Sequence, residues 1–506
     1  MDRKSGRRLQ RLRILSQFLF LVLFFFLLAR LAGGAAAPPA WAGLFFYLDP
    51  LFLWVGLLAS PLLRPFLLAL LPLLLTLLLG RFFCGWACPL GALHQFFTWL
   101  GARRRRRLPA VARAWLRPKY LLLAGLLAAS LFTVQLLGWL DPFSLLTRSA
   151  ATVVLPGGNA LLQQALQAGP RPLYELGRRA LLTVSQRSFL QAAGIGILFF
   201  ALLLLNLRRR RFFCNSLCPL GALYGLLAKF SFLRLRINDA CVKCNACAGG
   251  CTYQGGPYQD YLKSECLLCG NCLADCPAAA IDVAFAWPGR RQRPAVDLGR
   301  RRLLGAAGVG LAAAALPLAS PSRQAVPHPF LRPPGALEEK EFLRRCIRCG
   351  ACMQACPTNA LQPALFQAGA EGLWTPVLVP QSGYCEYECH RCTQVCPTRA
   401  IARLSLGEKK QFKIGTAVID RSLCYTYADG YNCAVCEEHC PVPEKAIRLR
   451  EVEVETFRGR RRLVKQVYVV PDLCIGCGIC ESVCPRSDRP AIRVGAEEEQ
   501  RQNPAG

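Results

Sequence analysis

The sequence predicts a multi-domain chain: an α-helical membrane domain of four helices, a fifth anchoring helix further on, and small α+β domains dense in cysteine. Three observations predict it. Hydrophobic side chains make up 53% of the 506 residues and gather in Leu- and Phe-rich runs beyond what one soluble core requires. The 28 cysteines fall without remainder into seven groups of four, six of them local and the seventh made of two Cys-x-x-x-Cys pairs. The stretch RFFCGWACPLGAL, beginning at Arg81, returns as RFFCNSLCPLGAL, beginning at Arg211, each time directly after an apolar run.

Residues 14–33, 61–83, 119–140 and 191–207 each come near the roughly 20 apolar residues that a helix needs to cross hydrocarbon. Residues 44–60 are also apolar but hold Asp49 and Pro50 at their middle, so they read as an interfacial or re-entrant piece. A crossing there would put Arg103 to Arg107 opposite the Arg-rich N-terminus, against the positive-inside rule. Four crossings place both Cys-x-x-x-Cys-Pro units on the cytoplasmic side. Residues 1–235 then form a repeat in which each half has a helix, a Leu-Asp-Pro element, a second helix and a cysteine unit. Asp49 and Asp141, in those Leu-Asp-Pro elements, are expected near the opposite face. They cap helix starts before Pro, with proton handling as the functional alternative.

The formal charge of +31 sits in Arg runs that flank apolar segments. That placement serves topology and anionic headgroups, and it excludes nucleic acid as the partner.

Residues 236–285 hold two cysteine groups, CVKCNACAGGC and CLLCGNCLADCP. The run C-x-x-C-x-x-C-x-x-x-C-P is the bacterial ferredoxin pattern: three thiolates curl round one 4Fe-4S cubane while the fourth ligates its neighbour. One ligand set is therefore Cys241, Cys244, Cys247 and Cys276, and the other is Cys266, Cys269, Cys272 and Cys251. Gly270 follows a second ligand, where left-handed φ and close backbone approach are needed, and Asn245 takes that place in the other loop.

Residues 336–495 carry four more groups. Gly350 and Gly478 repeat the Gly270 position. Nested pairing, outer group with outer and inner with inner, gives the sets Cys346/Cys349/Cys352/Cys484, Cys474/Cys477/Cys480/Cys356, Cys385/Cys389/Cys392/Cys440 and Cys424/Cys433/Cys436/Cys396. The sequence thus expects six 4Fe-4S clusters. Zinc is the alternative, but zinc sites come as two separated pairs rather than triplets with a distant fourth ligand before Pro. His390 and His439 lie inside the inner groups, as cluster-tuning donors or as solvated loop residues. The membrane helices contain no histidine, so a bis-His haem is not available from them.

Cys84, Cys88, Cys214 and Cys218 occupy equivalent helix ends of the two halves. If the halves pack together, they can converge into one four-thiolate metal site, since a single half offers too few ligands to close one. Free or redox-active thiols, with Pro ending each helix, are the alternative.

Residues 286–335 form a basic linker with a charged, apolar and small-residue run at 298–320, in the order of an export signal. Arg300-Arg301-Arg302-Leu303-Leu304 is similar to a twin-arginine signal, read here as uncleaved, so that residues 336–495 lie outside the cytoplasm. Residues 496–506 are a polar tail.

Residues 14–283, with CGWACPLG, CNSLCPLG and the two ferredoxin groups, resemble the NapH-type membrane ferredoxin of quinol dehydrogenase modules. Residues 298–494 resemble the NapG-type exported polyferredoxin. The resemblance implies a fusion of two subunits in the bacterial inner membrane. The resemblance also implies that this fusion passes electrons from membrane quinol to a periplasmic redox partner such as a reductase or cytochrome. An accessory polyferredoxin for maturation of a periplasmic metalloenzyme is the alternative. No nucleophile–base constellation or phosphate loop is present.

Overall fold

The computed structural model describes residues 3–32, 40–58, 63–104, 113–131, 135–169, 187–251, 261–287, 299–315, 330–455, 461–486 and 489–501. The ends of the expected anchor (316–320), most of the linker around it and the last residues of the tail lie outside these. The chain is multi-domain and mostly helical. It divides into two compact units: Met1–Arg30, Ala40–Thr147 and Gly196–Leu316 in the first, Leu31–Pro39, Arg148–Ile195 and Pro317–Gly506 in the second.

In the first unit, Arg3–Leu31 is the one described helix long and apolar enough to span a membrane. The other expected spans are shorter: Arg64–Leu79 and Ala192–Leu207 are apolar helices of 10–17 residues, and Arg117–Ser130 has 14. Proline is one physical reason. Around Pro65 and Pro72 the helix breaks into Leu63–Phe66, a 3-10 turn Leu67–Ala69 and Leu70–Leu79, because Pro lacks an N–H and crowds the preceding turn. Residues 44–60 likewise break at Asp49 into Leu44–Tyr47 and Pro50–Leu58, the latter 9 residues long and too short to cross.

Each cysteine unit forms a helix–turn–helix, Phe82–Trp86 into Pro89–Arg104 and Phe212–Ser216 into Pro219–Ala228. Here Pro begins the second helix rather than ending the first. Its missing N–H falls where no helical bond is needed, and the Cys before it caps the start: Gly91 N–H donates to Cys88 Sγ at 3.4 Å, and Gly221 N–H to Cys218 Sγ at 3.2 Å.

The helix Arg300–Ala315 lies against Arg117–Ser130 at glycines. A Cβ on Gly310 would stand 2.1 Å from the carbonyl oxygen of Gly125, so only hydrogen fits there. Gly310→Val is expected to destabilise this unit by about 1–3 kcal/mol in thermal unfolding, as overpacking does. Gly308→Ala is expected to be silent, since a Cβ at Gly308 meets nothing within 4 Å.

The cysteine-dense segment closes with an antiparallel pair, Leu233–Ile237 on Ile281–Phe285, which brackets all eight of its cysteines between two strands. The second unit uses the same closure twice. Ala336 bridges Ile401 around the groups from Cys346 to Cys396, and Thr416–Ile419 pairs with Ile492–Gly495 around those from Cys424 to Cys484. Between Cys440 and Cys474 the chain adds a long hairpin, Ile447–Glu455 on Arg461–Val469.

Candidate functional site: the cysteine groups and the Cys-Pro quartet

Left-handed backbone shapes the regular cysteine loops. The residue after the second cysteine has positive φ in all four: Asn245 (59°), Gly270 (76°), Gly350 (76°) and Gly478 (80°). The residue before that cysteine does too, at Lys243 (56°), Leu268 (50°), Arg348 (55°) and Gly476 (70°), which the motif alone did not reveal. Two such residues around one cysteine turn consecutive N–H groups inward, the arrangement that cluster sulfur accepts. A side chain at φ of this kind is costly unless the fold demands it.

In the first unit the cysteines gather near one another across the two groups. Cys241, Cys244, Cys247 and Cys276 line one cavity, and Cys272 interacts electrostatically with Cys269, Cys266 and Cys251.

In the second unit the cysteines gather otherwise than nested pairing expects. Cys346, Cys349 and Cys352 share a cavity with Cys396, not Cys484. Cys424, Cys433 and Cys436 share one with Cys484, not Cys396. Cys474, Cys477 and Cys480 share one with Cys440, not Cys356. Cys385, Cys389 and Cys392 all interact with Cys356, not Cys440. The reason is the strand closure. Each pair of neighbouring groups is bracketed by its own strands, so the fourth ligand comes from the adjacent group, and no loop spanning the whole unit has to be closed.

The donor chemistry fits cubanes. The four lined cavities enclose 330 to 400 Å³ out to their open margins, and their walls are cysteine sulfur and mostly apolar side chains, with Asn245, Arg348, Thr398 and Arg486 among them. Triplets of thiols two residues apart with a fourth from another group suit a multi-iron core, whereas zinc sites come as two separated pairs. Burial pushes the thiols of Cys266 up to about 11 and Cys477 up to about 12. A cationic core among them would offset that cost and favour the thiolate form.

Cys84, Cys88, Cys214 and Cys218 also come together, each within electrostatic reach of others in the group. Two fully buried arginines serve them in matching fashion. The Arg211 guanidinium donates to Gly91 O at 2.7 Å, beside Cys88, while that of Arg81 lies against Gly221, beside Cys218. Asp49 and Asp141 were expected at the far face, but the structure brings the fully buried pair to one another and Asp49 within reach of Cys84. Both still cap helices: Leu51 N–H donates to Asp49 at 2.8 Å and Ser144 N–H to Asp141 at 2.7 Å. His94 is a buried core residue, its Nδ1 2.6 Å from Asn206 Nδ2 and its ring stacked on Phe213. His439 is exposed, with Nδ1 at 2.9 Å from Val435 O, and His328 lies outside the described residues.

One buried constellation had no sequence signal beyond its place directly before Cys266. Glu265 accepts from Arg81 Nη1 and Lys119 Nζ, both at 2.5 Å, and from Tyr120 Oη at 2.7 Å. Arg81, Lys119 and Glu265 are no more than 1% exposed. Burial alone would raise the Glu265 carboxyl, but Lys119 and Arg81 outweigh it and hold it below the usual carboxylate range. The lock ties a cluster loop to the helix that leads into the Cys84 unit.

A 4Fe-4S dicluster domain model matches residues 345–400 and 431–487, following the strand-closed modules, and a 4Fe-4S binding domain model matches residues 62–107 and 191–238, over the two Cys-Pro units. The methylamine utilization ferredoxin-type protein MauM of Methylorubrum extorquens is 40% identical over 171 residues, which cover 32% of this chain and 71% of MauM. The chain belongs to this ferredoxin-type family. The ferredoxin-type protein NapG of Escherichia coli is 39% identical over 167 residues (32% of this chain, 69% of NapG), and NapF of the same organism 32% over 158 (31% and 81%). These similarities cover about a third of the ferredoxin-type chain described here. No solved structure matches it.

Proposed function

We propose that this ferredoxin-type protein takes electrons from membrane quinol and delivers them to a redox partner on the periplasmic face, a reductase or cytochrome. The observation that supports the reading is four cavities each lined by four cysteines, with eight further cysteines grouped beside them, in one chain with an apolar helical block. When bound, 4Fe-4S clusters supply one-electron redox chemistry. The chain's own work is to hold them. Cys241, Cys244, Cys247 and Cys276 hold one, and Cys266, Cys269, Cys272 and Cys251 the next. The second unit holds four by the sets its geometry groups.

The multi-pass inner-membrane placement, the NapH-type character of residues 14–283 and the periplasmic side of residues 336–495 belong to this proposal. The family match over both Cys-Pro units and their paired geometry support the NapH-type part. Cys84, Cys88, Cys214 and Cys218 form the candidate seventh site, its metal open. Arg81 and Arg211 supply positive charge that suits a four-thiolate centre. Asp49, within reach of Cys84, and its partner Asp141 are candidates for proton handling there.

Anaerobically purified protein is expected to be brown, with about 24 irons and 24 sulfides per chain. A reduced quinol analogue is expected to bleach the clusters. Full iron content with no bleaching would remove the quinol step.

A further inference from the structure

The site formed by Cys385, Cys389, Cys392 and Cys356 occupies the middle of the second unit. On one side Cys392 interacts with Cys352 of the neighbouring set. On the other, the backbone N–H of Cys385 donates to the carbonyl of Cys477 at 2.8 Å, a direct bond between two ligand residues of different modules. Whatever occupies this site is the link between the modules.

Lys409 stands against it. The residue is 1% exposed, on the helix Leu406–Gln411, which a capping box between Ser405 and Glu408 pins at its start. Nζ donates to the carbonyls of Glu386 at 2.5 Å and Tyr387 at 3.0 Å, and it also reaches the thiol of Cys385. All of these acceptors lie on the cysteine loop itself. Among the described residues no carboxylate pairs with Lys409. A buried ammonium solvated only by neutral carbonyls is costly unless negative charge lies close. The negative charge available is the ligand set, since four thiolates round a 4Fe-4S core leave a net negative centre. The next residue makes the contrast: Lys410 is 28% exposed and pairs with Glu388 at 2.5 Å.

We infer that Lys409 sets the reduction potential of the cluster site joining the two modules, its fixed positive charge favouring the reduced state there. The inference rests on reading the four-cysteine sites as 4Fe-4S sites. A charge held in a water-poor setting acts on a nearby change of charge far more strongly than one in solvent. Lys409 is thus a positioning residue for charge, reaching the site through Cys385.

The test is an anaerobic redox titration of the full chain in detergent, followed by electron paramagnetic resonance, with iron counted in every sample. K409M is expected to move one cluster's midpoint to more negative potential, with the iron content and the other midpoints unchanged. K409R is expected to stay near the wild type, and K410M to move nothing. K409M with full iron and no shifted midpoint overturns the inference. Should K409M lose the iron of that site, K409Q, which keeps an N–H donor for the two carbonyls, takes its place, and an unshifted midpoint there overturns it equally. A wild-type chain that holds no iron overturns the reading of the sites, and with it the role of Lys409.

Discussion

Glu265→Gln is expected to destabilise the first unit by about 3–5 kcal/mol, because it leaves two buried cations, Arg81 and Lys119, without their shared anion. Gln keeps the shape and one acceptor, so the loss isolates charge. The measurement is thermal unfolding in detergent together with iron retained by the set beginning at Cys266. Replacing Arg81, Lys119 and Glu265 together by apolar residues of similar volume is expected to recover most of the stability, since no lone charge then remains. A Gln variant that unfolds with the wild type would show that the lock holds nothing. The sign with pH follows from the depressed carboxyl: its stabilisation is present above the ordinary carboxylate range and is lost as pH falls through the lower, folded-state value.

The second large effect separates two ways of sharing ligands. In the structure Cys349 and Cys396 belong to one site. The double variant Cys349→Ser, Cys396→Ser is therefore expected to lose about four irons, one cluster's worth. Under nested pairing the same two residues serve different sites, and the loss would be about eight. The complementary double variant Cys349→Ser, Cys484→Ser gives the reverse: about eight irons lost with neighbouring pairing, about four with nested. Iron and acid-labile sulfide read both outcomes directly. A first double variant that loses eight, with a second that loses four, would return the ligands to the nested scheme.

These two expectations lie on opposite sides of what a sequence can say. The three-cysteine core of every regular site was legible because the ligands are local. Thiols two residues apart must share a centre, and the residue after the second must tolerate left-handed φ, as Asn245, Gly270, Gly350 and Gly478 all do. The pairing of the first two groups was legible for the same reason: only two groups were present, and the crossed pattern left one choice. The repeat of the Cys-Pro unit also foretold that Cys84, Cys88, Cys214 and Cys218 would approach one another, which they do.

Where several partners were compatible with the same spacing, only the tertiary structure decided. Four successive groups allow neighbouring or nested sharing. Strand closure at Ala336 with Ile401, and at Thr416–Ile419 with Ile492–Gly495, selects the neighbour. Spacing along the chain does not encode which backbone segments pair. Buried charge is hidden in the same way: nothing near Glu265 in sequence names Arg81 or Lys119, 184 and 146 residues away, and nothing near Cys385 names Lys409. An ion pair is a contact between remote positions, and its strength depends on exclusion of water, which exists only after folding. Composition and local spacing thus determined what the chain can bind. Packing decided which cysteines share a site and which charges stand beside it.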